Sequence, residues 1–205
     1  MISHLLLDAD GVLQDREDER VLLARIGDLL DLDEAGVGDF LEVALAAERP
    51  CLEGRDRWAR VLPELLERWE ARERAEELLT LWCDTEVVAP ALALAMRVRE
   101  QGVRCWIASN QDVLRASVME ERFSYASLLD GSFYSHAVGV AKPDPAYFEQ
   151  ILVRLGAAPG AVAFVDDRED NVEAARGLGI RAVRWQRREG TSVLGAHLRA
   201  LGVPV

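Results

Sequence analysis

Four polar clusters in this chain bring carboxylates together with a hydroxyl and an ammonium. They are Asp8-Ala9-Asp10-Gly11, Ser109-Asn110, Lys142-Pro143-Asp144-Pro145 and Asp166-Asp167. An Asp-x-Asp pair alone means little. With 16 Asp in 205 residues, about one such pair per chain arises by chance, and Asp31-Leu32-Asp33 reads as a helix boundary. What lifts Asp8 and Asp10 is position, at the end of an apolar run and beside a glycine that lets backbone approach a ligand closely. Lys142 is the sole lysine against 23 arginines. A compact ammonium in an arginine-rich chain marks a place where a planar guanidinium does not serve. Two unit charges 4 Å apart interact by about 4 kcal/mol at an effective dielectric near 20. Four carboxylates in one crevice therefore call for a cation, and an oxygen-only donor set favours Mg²⁺ over zinc.

The elements that must position these groups follow from periodicity. Residues 4–7, 103–108 and 161–165 are short apolar runs, each ending at one of the clusters, and read as buried strands. Residues 180–185, with Arg181 and Arg184, read as an outer strand, and 133–135 as a short fifth. Helices are expected between them. One spans 90–101, closed by Gly102, and a second runs from an Asp112 cap to about Arg122. Others span 144–156 with Asp144 as N-cap and Pro145 at N1, 169–178 closed by Gly179, and 191–201. Strands alternating with helices predict an α/β fold, a Rossmann-like parallel sheet with helices on both faces. Ligands bind such sheets outside the carboxyl ends of the strands, so the clusters converge on one crevice.

Residues 15–85 break the alternation. They show no convincing strand but helical periodicity at Leu22, Ile26, Leu29 and Leu30, at Trp58, Val61, Leu62, Leu65, Leu66 and Trp69, and at Ala75, Leu78, Leu79 and Trp82. Pro63 is expected to kink or restart the middle helix. A crossover needs only a dozen or so residues, so residues 15–86 read as an inserted all-helical cap subdomain on a core of 1–14 and 87–205. The segment 15–85 carries a net charge of −10 and the rest of the chain −2, a pattern expected of solvated helix faces.

The overall charge of −12 disfavours nucleic acid or an anionic membrane as the main partner. No apolar run approaches 18 residues, and the start, Met1 to Asp8, lacks the basic region of a signal peptide. Cys51, Cys83 and Cys105 have no metal-ligand spacing and read as reduced thiols of a cytoplasmic protein.

Taken together, Leu7-Asp8-Ala9-Asp10-Gly11-Val12, Ile107-Ala108-Ser109-Asn110, Lys142-Pro143-Asp144-Pro145 and Phe164-Val165-Asp166-Asp167-Arg168-Glu169-Asp170-Asn171 resemble the motifs of the haloacid dehalogenase-like hydrolases, in that family's order. The helical insertion resembles the family's small C1-type cap. The stretch from Asp166 to Asn171, followed by Ala174 to Gly179, is especially similar to the branch of sugar-phosphate phosphatases and the phosphatase domain of soluble epoxide hydrolases. The resemblance implies a Mg²⁺-dependent phosphomonoester hydrolase of a small soluble metabolite, such as a sugar phosphate. Asp8 would be the nucleophile that forms an aspartyl-phosphate, and Asp10 the general acid and then base. The metal would be held by Asp8, the Asp10 backbone carbonyl and Asp167, with Asp166 direct or through water. Ser109, the Asn110 backbone N–H and Lys142 would bind the phosphate.

Two other activities fit the same residues. A 2-haloacid dehalogenase would not need Asp10, because a halide leaves without a proton. A phosphomutase of the β-phosphoglucomutase type would use the whole set. Outside the clusters, Asp170 and Asn171 read as helix-start residues. His4, His136 and His197 read as structural or exposed. Trp58, Trp69 and Trp82 read as core of the insertion, and Arg49, Glu53, Arg55 and Arg57 around Gly54 as surface charge.

Overall fold

A computed structural model describes residues 1–16 and 18–205; Glu17, within the expected insertion, lies outside the described residues. The chain opens with β1 (His4–Leu7) and β2 (Gln14–Asp15). It continues through α1 (Glu19–Leu30), α2 (Glu34–Leu52), α3 (Trp58–Leu65) and α4 (Ala75–Trp82) to β3 (Glu86–Val87). Then come α5 (Ala89–Glu100), β4 (Arg104–Ser109), α6 (Val113–Phe123), α7 (Tyr125–Leu128), β5 (Ser132–Tyr134), α8 (Ser135–Val138) and α9 (Pro145–Leu155). The last elements are β6 (Val162–Asp166), α10 (Glu169–Gly177), β7 (Arg181–Arg184) and α11 (Thr191–Ala200).

Five strands form one sheet in the order β5-β4-β1-β6-β7, and every pairing is parallel. The strand carrying Arg181 and Arg184 is an edge, as their charge predicts. Side chains of β1 alternate between two cores, as the period of two requires. Leu5 and Leu7 pack with residues of α5, α6 and α11, such as Val98, Met119 and Leu198. Leu6 packs on the other face with Tyr147, Phe148 and Ile151 of α9 and with Val172 of α10. Helix starts lie where the sequence predicts. Asp112 accepts from Leu114 N at 2.8 Å, Asp144 accepts from Ala146 N at 2.9 Å, and Gly156 closes α9 in the left-handed conformation. β1, β4 and β6 are neighbours, so their carboxyl ends bring Asp8, Ser109 and Asp166 side by side.

Helices α1 to α4 share a separate core around Phe40, Trp58, Leu62, Leu66 and Trp82. Trp58 and Trp82 pack at 5.4 Å between ring centroids, and Trp69 meets Phe40 edge-on at 5.3 Å. Three features differ from the sequence expectation. A 19-residue helix, α2, fills a stretch where no periodicity stands out. Pro63 lies inside α3 without ending it, and the chain tightens into a 3₁₀ turn only at Leu66–Trp69. The segment expected to lack strands begins on one: β2 pairs antiparallel with β3, Gln14 opposite Val87 and Asp15 opposite Glu86. The two legs of the insertion thus leave the core as a short ribbon. Arg16 binds them further, its guanidinium donating to the carbonyls of Leu81, Trp82 and Asp84 at 2.7–3.2 Å. No described helix is long and apolar enough to cross a membrane.

Candidate active site

β1 delivers Asp8 at its carboxyl end, where the Asp8 N–H continues the ladder to Val165 O at 2.9 Å. One Asp8 oxygen accepts from Ala9 N at 2.8 Å and lies 3.0 Å from Lys142 Nζ. That ammonium is 1% exposed and donates to Asp166 Oδ2 at 2.6 Å and Ala108 O at 2.8 Å. Three acceptors thus satisfy its three donors. Burial works against the Lys142 charge, but Asp166 and Asp8 outweigh it and the pKa is raised.

Asp166 ends β6 fully buried. It accepts from Arg168 N at 2.9 Å, and Asn171 Nδ2 lies 3.0 and 3.1 Å from its two oxygens. Asp8, Asp166 and Asp167 each place a carboxylate oxygen within 4.8 Å of the others. These three could hold a hard cation, which takes oxygen ligands. Burial and then Asp166 push the Asp8 carboxyl up, against the pull of Lys142. Burial and Asp166 likewise raise Asp167 to about 6. Gly11 lets this cluster close. Its φ is +76°, and a Cβ there would lie 2.7 Å from Asp167 Cγ.

Asp10 stands apart from the three-carboxylate group. Its Oδ1 accepts from Gln14 Nε2 at 2.9 Å and Arg115 Nη2 at 2.7 Å; its Oδ2 accepts from Gln111 Nε2 at 2.7 Å and Arg115 Nη1 at 2.9 Å. Burial alone would raise its pKa, but Arg115 and the two amides prevail and hold it below the ordinary value.

Of the second cluster, Ser109 ends β4 buried, its hydroxyl accepting from Gln111 Nε2 at 3.2 Å. The Asn110 side chain turns away to clamp the lysine loop. It donates to Lys142 O at 2.8 Å and accepts from Lys142 N at 2.9 Å. All seven residues expected at a site, Asp8, Asp10, Ser109, Asn110, Lys142, Asp166 and Asp167, therefore meet at the carboxyl ends of β1, β4 and β6 and the loops that follow.

Sequence reasoning missed Gln14, Gln111 and Arg115 around Asp10, and Asn171 behind Asp166. Gln111 follows Ser109-Asn110 directly, the one signal that could have pointed to it. Asp170, by contrast, is a helix-start residue paired with the neighbouring Arg168. His4 accepts from Trp106 Nε1 at 3.1 Å, and His136 Nδ1 lies 2.9 Å from Gln111 O. Arg49 and Arg55 pair with Glu53. Gly54 rests so closely on His136 O that a Cβ would collide with it.

Comparison with known proteins agrees with this architecture. A phosphatase of Mycobacterium tuberculosis is 34% identical over 122 residues, covering 55% of each chain. Flavin mononucleotide hydrolase 1 of Arabidopsis thaliana is 29% identical over 89 residues, covering 43% of this chain and 35% of that one. The matched stretches span about half, or less, of these relatives' lengths. A haloacid dehalogenase family enzyme of Bacteroides thetaiotaomicron, crystallised with magnesium and inorganic phosphate, shares the fold. The TM-score is 0.78 at 20% identity, over 95% of this chain and 99% of that one. The model of the haloacid dehalogenase-like hydrolases matches residues 2–179, and the chain belongs to that family.

Proposed function

We propose that the protein is a Mg²⁺-dependent phosphomonoester hydrolase acting on a small phosphorylated metabolite through an aspartyl-phosphate at Asp8. The observation that carries this reading is the Lys142 ammonium lodged between Asp8 and Asp166, with Asp167 completing an all-oxygen group. Phosphoryl transfer needs aligned groups and neutralised charge more than covalent machinery, and this cluster offers both. The names of the two relatives, and the magnesium and phosphate bound to the Bacteroides enzyme, support it.

Three carboxylates, two buried and that of Asp167 half-buried, offer only oxygen donors and fit Mg²⁺. Asp8, Asp166 and Asp167 would hold the ion, which when bound neutralises charge on the phosphoryl oxygens. Asp8 attacks phosphorus and the ester bond breaks, the leaving oxygen taking a proton from Asp10. Water then attacks phosphorus, giving its proton to Asp10, and the bond from phosphorus to the Asp8 oxygen breaks, freeing the carboxylate and phosphate. Lys142 opposes the rise in the Asp8 pKa and so favours the ionised nucleophile, and it steadies charge during both transfers. Ser109 and the Asn110 backbone N–H would receive phosphoryl oxygens, while the Asn110 side chain fixes Lys142. The helical insertion acts as the cap that excludes bulk water.

A phosphate-release screen over a metabolite panel, with and without Mg²⁺, tests the activity. Quenching the enzyme during turnover and reducing it with borohydride tests the nucleophile. An acyl phosphate at residue 8 should be converted to the alcohol, leaving homoserine there, and Asp8→Asn should abolish turnover. An unreduced Asp8, or a fully active Asp8→Asn variant, overturns the reading.

A further inference from the structure

Arg115 is the strongest unassigned feature of the molecule. It comes from α6, and its side chain is only 13% exposed. Its two terminal nitrogens take one oxygen each of Asp10, at 2.7 and 2.9 Å. Two parallel hydrogen bonds from a planar fork fix both the place and the plane of a carboxylate, which a point charge cannot do. The amides of Gln14 and Gln111 complete the hold, so Asp10 has one available orientation. Arg115 thus gives both of its terminal nitrogens to this one carboxylate.

We propose that Arg115 is the positioning residue for Asp10, a two-point clamp that fixes the place and plane of its carboxylate. This rests on the phosphatase reading, which makes Asp10 the group that moves the proton.

The test is a double-mutant cycle in the full chain with Mg²⁺ and p-nitrophenyl phosphate. Arg115→Met should lower kcat about 10- to 100-fold with KM changed by less than about 3-fold, the signature of lost alignment rather than lost binding. Arg115→Lys should restore only part of kcat. In an Asp10→Asn background Arg115→Met should cost no more than about twofold further, because the clamp acts only through that carboxylate.

Losses that multiply across the Asp10 cycle, or full kcat in Arg115→Met, overturn the clamp. If Arg115→Met fails to fold, Arg115→Lys carries the same cycle. A wild-type chain inactive on this ester, or an active Asp8→Asn variant, overturns the phosphatase reading and the clamp together. An active wild type with an inactive Asp8→Asn variant and a multiplicative cycle overturns the clamp alone.

Discussion

Asn171 shows how a single amide can govern a charged cluster. Its Nδ2 spans both oxygens of Asp166, sharing that carboxylate with Lys142. Partners of this kind orient metal ligands, and their loss costs about 10–100-fold in metal affinity. Asn171→Ala should therefore raise by that factor the Mg²⁺ concentration needed for half-maximal hydrolysis. An unchanged Mg²⁺ dependence would count against a metal at Asp166. Gly11→Ala is a second test. A methyl at φ +76° is strained and would press on Asp167, so a loss of more than about 1 kcal/mol is expected in thermal melts, together with weaker Mg²⁺ activation. The acidic, hydroxyl and ammonium groups were legible in the sequence because each closes a strand or opens a helix. Arg115 was not, because it is one arginine among 23 and only folding reveals which one faces Asp10. The Asn110 side chain was misjudged by omission, since its bond to the Lys142 backbone joins residues 32 apart.

At the level of elements, the β2–β3 ribbon invites excision. Its two rungs place the legs of the insertion side by side, and an Asn-Gly turn closes such a hairpin. Replacing residues 17–84 by Asn-Gly should leave a chain with the circular dichroism of an α/β sheet protein and a cooperative melt, because the sheet has its own two cores. Hydrolysis of p-nitrophenyl phosphate should fall at least about 100-fold, since the site loses its cover. Undiminished turnover would show that the insertion does not close the site. The five strands of the main sheet and its longer helices were legible within a residue or so, because apolar runs and caps mark both ends, whereas the four-residue helices α7 and α8 and the β2–β3 ribbon were not. α2 was not, as Gly36, Gly38 and Pro50 interrupt its pattern and its buried face is sparse. Pro63 misled because it sits late in a short helix, near the point where the chain tightens into the 3₁₀ turn.

Across the whole molecule, the raised carboxyls set how stability responds to pH. Asp167 titrates near 6 and Glu48 near 7, each raised chiefly by burial, and Asp8 is also raised. Unfolded, such groups titrate near 4. Between these values the folded chain binds more protons than the unfolded one, so stability falls as pH rises. Asp10 has a lowered pKa and contributes the opposite sign, its stabilisation being lost as pH falls through its folded pKa. Without divalent ions the melting temperature should fall from about pH 5 to pH 8, and millimolar Mg²⁺ should flatten that fall by favouring the ionised cluster. A melting temperature that climbs over this range in the metal-free protein would contradict the assignment.

Lys142 also has a practical consequence. A chain with one ε-amine, sealed at the centre of its chemistry, carries a built-in reporter. Reductive ¹³C-methylation after transient unfolding would yield one side-chain NMR signal, free of overlap from any other lysine. In the native state, the slow rate at which an acylating reagent captures that amine would time how often the interior is laid bare.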